Sequence, residues 1–84
     1  MAILRFWDDE RGFTEWRDAN PDGFVANGVK GETPYSLHVA SCNRLHAFDH
    51  YTDEKYYKLC SLDRKALERR APDLTECGHC VGKR

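Results

Sequence analysis

Long apolar runs are missing from this 84-residue chain. The first one met, Ala2-Ile3-Leu4, is cut at once by Arg5, whereas a membrane-spanning helix needs about 20 predominantly apolar residues. A secretory signal needs a basic start and an apolar stretch of roughly 7–15 residues, and neither is found. We therefore expect a cytoplasmic protein that makes no use of a membrane. Charge of one sign is scarce too: the formal net charge is −1. The first 42 residues carry four Lys/Arg against seven Asp/Glu and the last 42 carry nine against seven. A balance of this kind leaves no overall electrostatic footprint for nucleic acid, although the C-terminal half is mildly basic. Apolar residues make up only 40 % and charged residues 32 %, so the core is thin. A chain of this length buries only about 60–65 % of the surface its unfolded form exposes, and a crosslink or a metal then contributes a large share of stability. Internal repeats, low-complexity tracts, a phosphate-cradling glycine loop and a G-x-S-x-G elbow are all absent, which leaves one domain spanning residues 1–84.

The patterning predicts a small α+β domain with a three-stranded, largely antiparallel sheet and two short helices. Asp8 and Asp9 precede Phe13, Trp16 and Ala19 at three-residue intervals, the mark of an amphipathic helix over residues 9–19. Asn20-Pro21-Asp22-Gly23 stops it. Residues 23–27 and 34–39 read as strands joined by a turn around Gly28, Lys30 and Gly31, and period two sets Tyr35, Leu37 and Val39 on one face with His38 on the other. A polar loop over residues 42–54 follows, with one helical turn expected near Asn43–His46. Residues 55–60 read as the third strand, and Ser61 as the N-cap of a helix whose apolar stripe is Leu62, Ala66 and Leu67. Pro72 ends that helix.

What the sequence does contain is four cysteines, two of them in Cys77-Gly78-His79-Cys80. A reducing compartment favours metal ligation over disulfides for such residues. Zinc takes four N/S donors at about 2.0–2.3 Å in a tetrahedral array, and a C-x-x-C turn supplies two thiolates from one tight loop, with Gly78 relieving crowding there. His38 and Cys42, four residues apart, complete the expected Zn2+ set His38, Cys42, Cys77 and Cys80. Cys60, His46, His50 and His79 are alternative donors, Cys60 giving a four-cysteine site; as a packing residue it would behave as a small hydrophobe.

The order of these features resembles the zinc-binding N-terminal domain of the Ada DNA-repair methyltransferase. That family has Cys-x-x-x-Cys, a loop, a strand, a short helix with an Ala-Leu pair, and Cys-x-x-Cys. The corresponding residues are His38-x-x-x-Cys42, Tyr56-Tyr57-Lys58, Ser61 to Leu67 with Ala66-Leu67, and Cys77-x-x-Cys80. About half the chain takes part. The chain is also similar to small bacterial zinc-binding segments of unassigned activity that share a Pro-Asp-Gly-Phe-Val strand and a terminal Cys-Gly-x-Cys. The Ada resemblance implies nucleic-acid binding, in DNA repair or in the restriction of modified DNA. It does not extend to methyl transfer at this position, because the methyl-accepting cysteine of the family is His38 here and an imidazole is no substitute for that thiolate, which leaves that role to Cys42 or Cys77 if to any residue. Cys-Gly-His-Cys is also the tetrapeptide of disulfide isomerases, but such a dithiol sits at the start of a helix, and only Val81 to Arg84 follow.

These features point to a non-catalytic, zinc-stabilised binding module. One expected partner is nucleic acid, met by Arg64, Lys65, Arg69 and Arg70, with Lys83 and Arg84 adding charge and Tyr51, Tyr56 and Tyr57 offering stacking faces. The alternative is a protein-protein or structural module using an aromatic patch around Trp7 and Trp16, with Phe13. An enzyme is not expected: a zinc with four protein ligands has no open position, and Asp49/His50 and Asp53/Glu54 are neighbours in sequence only.

Overall fold

A computed structural model describes residues 3–42, 52 and 54–78. Along the chain run β1 (Leu4–Trp7), α1 (Glu10–Ala19), β2 (Phe24–Val29), β3 (Ser36–Val39), β4 (Tyr56–Ser61), α2 (Arg64–Arg70) and β5 (Thr75–Glu76). The α+β class and both helices are as expected, but the sheet has five strands in the order β1-β4-β2-β3-β5. The three anticipated strands form its antiparallel centre, β4-β2-β3. β1 adds to β4 antiparallel, and β5 adds to β3 parallel, which makes the sheet mixed. Neither edge strand has much side-chain burial to announce it: β1 is mostly exposed and both residues of β5 are exposed.

Period two divides the sheet into two differently used faces. On one, Ala26, Leu37, Val39, Tyr57 and Leu59 pack with Leu67 of α2. On the other, Val25 and Cys60 pack with Phe13 of α1, Ala40 and Cys42, flanked by Phe6, Trp16 and Cys77. Asp9 caps α1 by accepting a hydrogen bond from the Gly12 N–H at 2.9 Å, and Phe13 is the fully buried anchor of the helix. Trp16 lies over Gly23, where an added Cβ would come within 2.7 Å of the indole.

Several local expectations need correcting. The N-cap of α2 is Asp63, whose carboxylate accepts from the Lys65 N–H at 3.0 Å. Ser61 instead ends β4, and its hydroxyl accepts from the Asp63 N–H. A carboxylate two residues later outcompetes the serine because β4 continues through Ser61. Leu62 is 57 % exposed in the connection before the helix, so the buried stripe is Ala66 and Leu67 alone. Gly28 lies inside β2, not in the turn, which falls at Lys30-Gly31 with Gly31 at φ 87°. Tyr35 precedes β3 and is half exposed. The helical turn expected near Asn43–His46 lies outside the described residues. No described helix is long and apolar enough to cross a membrane.

Candidate metal centre

Three of the four expected ligands come together. His38 sits in β3 on the α1 side of the sheet because its neighbours Leu37 and Val39 fill the opposite core. The chain then turns, with the Cys42 N–H donating to the Val39 carbonyl at 2.9 Å, and Cys42 is buried beneath α1. Parallel pairing sets Ser36 opposite Thr75 and Leu37 opposite Glu76, and one step further Cys77 comes alongside His38. Its N–H donates to the Leu37 carbonyl at 2.9 Å. As a result one ligand atom from each of His38, Cys42 and Cys77 lies within 4.8 Å of the other two. Donors around a tetrahedral zinc stand about 3.6–3.8 Å apart, given bond lengths near 2.0–2.3 Å, so closure requires movements of about 1 Å or less. The fourth expected ligand, Cys80, and the alternatives His46, His50 and His79 lie outside the described residues. An added Cβ on Gly78 meets no described atom within 4 Å.

The state of His38 suits a metal ligand. Burial, and secondarily the charge of Lys58, push its pKa down from 6.5 to about 4, so the imidazole is neutral at pH 7 and has a lone pair to give. Nε2 is the nitrogen that meets protein groups, at 3.1 Å from Ser36 Oγ and 3.2 Å from Asn27 Nδ2. Nδ1 is buried and has no hydrogen-bond partner among the described residues. An orphaned ring nitrogen in a buried site is costly, and a cation bound at Nδ1 would satisfy it. Ligation through Nδ1 requires the proton on Nε2, which then donates to Ser36 Oγ. It also favours turning the Asn27 amide to present Oδ1 to the Nε2 proton. Oδ1 is itself buried without a partner as placed, so the turn forfeits no bond of the oxygen.

Asn27 and Ser36 were not foreseen as parts of the site. Their signal was their place on the strands: pairing puts Asn27 opposite Ser36, one residue pair from Val25 and His38 on the same face. Partners that orient a ligating histidine typically contribute about 10–100-fold in metal affinity. Asn27→Leu is therefore expected to weaken zinc binding by a factor in that range, read by competition with a chromophoric chelator. Ser36→Ala is expected to act in the same direction, and unchanged affinity in both variants would remove them from the site.

Cys60 stands apart from this group. In the sheet it pairs with Val25, which pairs with His38 on its other side. Two strand spacings of about 4.8 Å separate Cys60 from His38 along that row, too far for a shared ion. Its thiol is fully buried, and burial pushes its pKa up to about 12. It is a neutral packing group between Phe13 and Val25.

The four basic residues expected to meet nucleic acid differ in the partners they have within the fold. Arg64 is engaged by Glu76 at 2.6 Å and by Glu68 at 3.6 Å. Arg69 reaches Asp63 at 3.9 Å. Lys65 and Arg70 are exposed, with no ion pair among the described residues. The two tryptophans likewise serve different places. Trp16 packs beside the Phe13 cluster, while Trp7 is 41 % exposed, donates from Nε1 to the Glu54 carbonyl at 2.9 Å and carries Lys30 over its ring.

No protein-family model, curated protein or solved structure matches this chain.

Proposed function

We propose that the protein is a non-catalytic binding module held together by one zinc ion on His38, Cys42, Cys77 and Cys80. The observation that carries this reading is the buried, unpartnered Nδ1 of His38 in a group whose other members are two cysteines. A donor set of imidazole and thiolates selects a borderline-soft ion, and zinc is the one that takes four such ligands in structural sites. Three thiolates and a neutral imidazole around Zn2+ carry a net charge of −1. Lys58 is 2 % exposed on the same sheet face and close enough to depress the His38 pKa, so it supplies a nearby opposite charge.

With four protein ligands the ion has no site left for water, and its part is to tie the segment after β5 to β3. The position of His38 in place of a thiolate argues against methyl acceptance. Binding to nucleic acid remains the partner reading implied by the Ada resemblance. It rests most on Lys65 and Arg70, since Arg64 is held by two carboxylates and Arg69 reaches Asp63.

Metal analysis of protein purified without chelators tests the central reading. One zinc per chain is expected in the natural sequence and in Cys60→Ser, and much less in Cys80→Ser. Zinc retained by Cys80→Ser but lost from Cys60→Ser would overturn the ligand set.

A further inference from the structure

On the sheet face opposite His38, the structure has a groove of about 300 Å³ between the β2–β3 turn and the end of α2. That volume lies at the lower end of the range for small-molecule sites, roughly 300–1,000 Å³. Tyr57 is one of the buried residues lining it. The ring lies against Gly28 on the neighbouring strand, where an added Cβ would overlap it, and its hydroxyl donates to the Glu32 carbonyl at 2.6 Å. The ring is thus fixed from both ends.

Two arginines border this groove, Arg5 from β1 and Arg70 from α2. The Arg5 guanidinium carbon stands 5.0 Å from the Tyr57 ring centroid. The other four described arginines have acceptors: Arg11 holds Glu15, Arg17 donates to the Ala40 carbonyl, Arg64 holds Glu68 and Glu76, and Arg69 reaches Asp63. Arg5 and Arg70 alone among them have no carboxylate or carbonyl partner among the described residues, and they border the same groove. Both also act on the Tyr57 hydroxyl: burial raises its pKa, and Arg5 and Arg70 each pull it back, which places both charges within reach of one point. Gly31 and Thr33 contribute to the lining as well, and their backbone N–H groups have no acceptor among the described residues. The one carboxylate on the rim, Glu32, pairs with neither arginine.

We propose that this groove binds a phosphate group between Arg5 and Arg70. Guanidinium groups suit phosphate because their planar N–H forks match its oxygens. The group could be carried by a small phosphorylated molecule or by a nucleic-acid backbone. The second source deepens the partner reading given above and rests on it; the groove itself depends on no metal ligand.

Calorimetric titration with inorganic phosphate, adenosine monophosphate and a single-stranded 12-mer oligodeoxynucleotide tests the proposal on the protein as purified. Saturable binding is expected, weakened about tenfold or more in Arg5→Gln and in Arg70→Gln, unchanged in Arg11→Gln, and tightened in Glu32→Gln. Dependence of 12-mer binding on Arg5 and Arg70 identifies the nucleic-acid source; saturation by phosphate and the mononucleotide alone identifies the small-molecule source. Absence of saturation by all three probes, or equal losses in Arg11→Gln, overturns the groove as a site. Zinc content measured on the same samples separates the two readings. A folded, metal-free protein that still takes phosphate sinks only the zinc reading, and a zinc-loaded protein that takes none sinks only the groove.

Discussion

Stripping the metal with a strong chelator is expected to unfold the whole domain. Zinc contributes roughly 10–16 kcal/mol to the folding of comparable small sites, whereas the net stability of a folded domain is only about 5–15 kcal/mol. The geometry makes the loss global. Cys42 belongs to the same buried cluster as Phe13, Val25 and Cys60, so the ligands are continuous with the core that seats α1. On the other side, β5 has two residues, both exposed. It is joined to its neighbours by the Thr75 N–H on the Tyr35 carbonyl, the Cys77 N–H on the Leu37 carbonyl and the Arg64–Glu76 pair. Without the ion these bonds, the pairing with β3 and the packing of partly buried Leu74 and Cys77 on the two core clusters have to hold the end of the sheet. For a domain of this size each kcal/mol lost lowers Tm by about 4–8 °C, so even a loss of about 5 kcal/mol lowers it by more than about 20 °C. Thermal unfolding followed by circular dichroism should show this drop, or no cooperative transition at all, and Cys77→Ser should reproduce it. A chelated protein whose Tm stays within a few degrees of the untreated one would sink the metal as a structural element.

The centre of this fold was legible because its residues announce their environment by type and period. Phe13 and Trp16 recur at helical spacing behind an acidic cap, and Leu37, His38 and Val39 alternate between two faces that the structure does fill differently. The cluster of His38, Cys42 and Cys77, close enough to hold a metal ion, was legible for another reason: His and Cys at short, fixed spacings are rare enough to be noticed before any fold is known. The edges were not. Thr75 and Glu76 join the sheet through main-chain bonds that any residues could make, and Leu4 to Trp7 pair along an edge with little burial. The cap of α2 was misplaced because Ser61 and Asp63 are both good capping residues, and only the length of β4 decides between them.

The partners of His38 could not be read either. Asn27 and Ser36 are unremarkable in sequence and acquire meaning only through strand register. The groove beside Tyr57 is of the same kind. Arg5 and Arg70 are 65 positions apart, and nothing in their neighbourhoods distinguishes them from arginines that already hold a carboxylate.

Acid is expected to release the metal and unfold the protein together, over the interval from about pH 6.5 down to about pH 4. Apart from any effect of a bound ion, burial and then Lys58 hold the folded-state His38 pKa at about 4, against 6.5 for an unhindered histidine. Above pH 6.5 both folded and unfolded chains are neutral at this residue, and it adds no pH dependence. Between 6.5 and 4 the unfolded chain takes up a proton that the folded one refuses, so stability falls as the pH falls. Below 4 both forms are protonated and the loss is complete, at about 3 kcal/mol for a shift of this size. The metal steepens the same trend, because thiolates and imidazole bind zinc only when deprotonated and acid competes for every one of them. Metal release, followed with a chromophoric indicator, and loss of the circular-dichroism signal should therefore share one midpoint inside that interval. Raising the zinc concentration should move the midpoint to lower pH, since a ligand bound only by the folded state stabilises it by mass action. A midpoint indifferent to zinc would mean that proton uptake at His38, and not metal loss, limits the fold in acid; retention of both metal and structure at pH 4 would exclude a thiolate and imidazole site altogether.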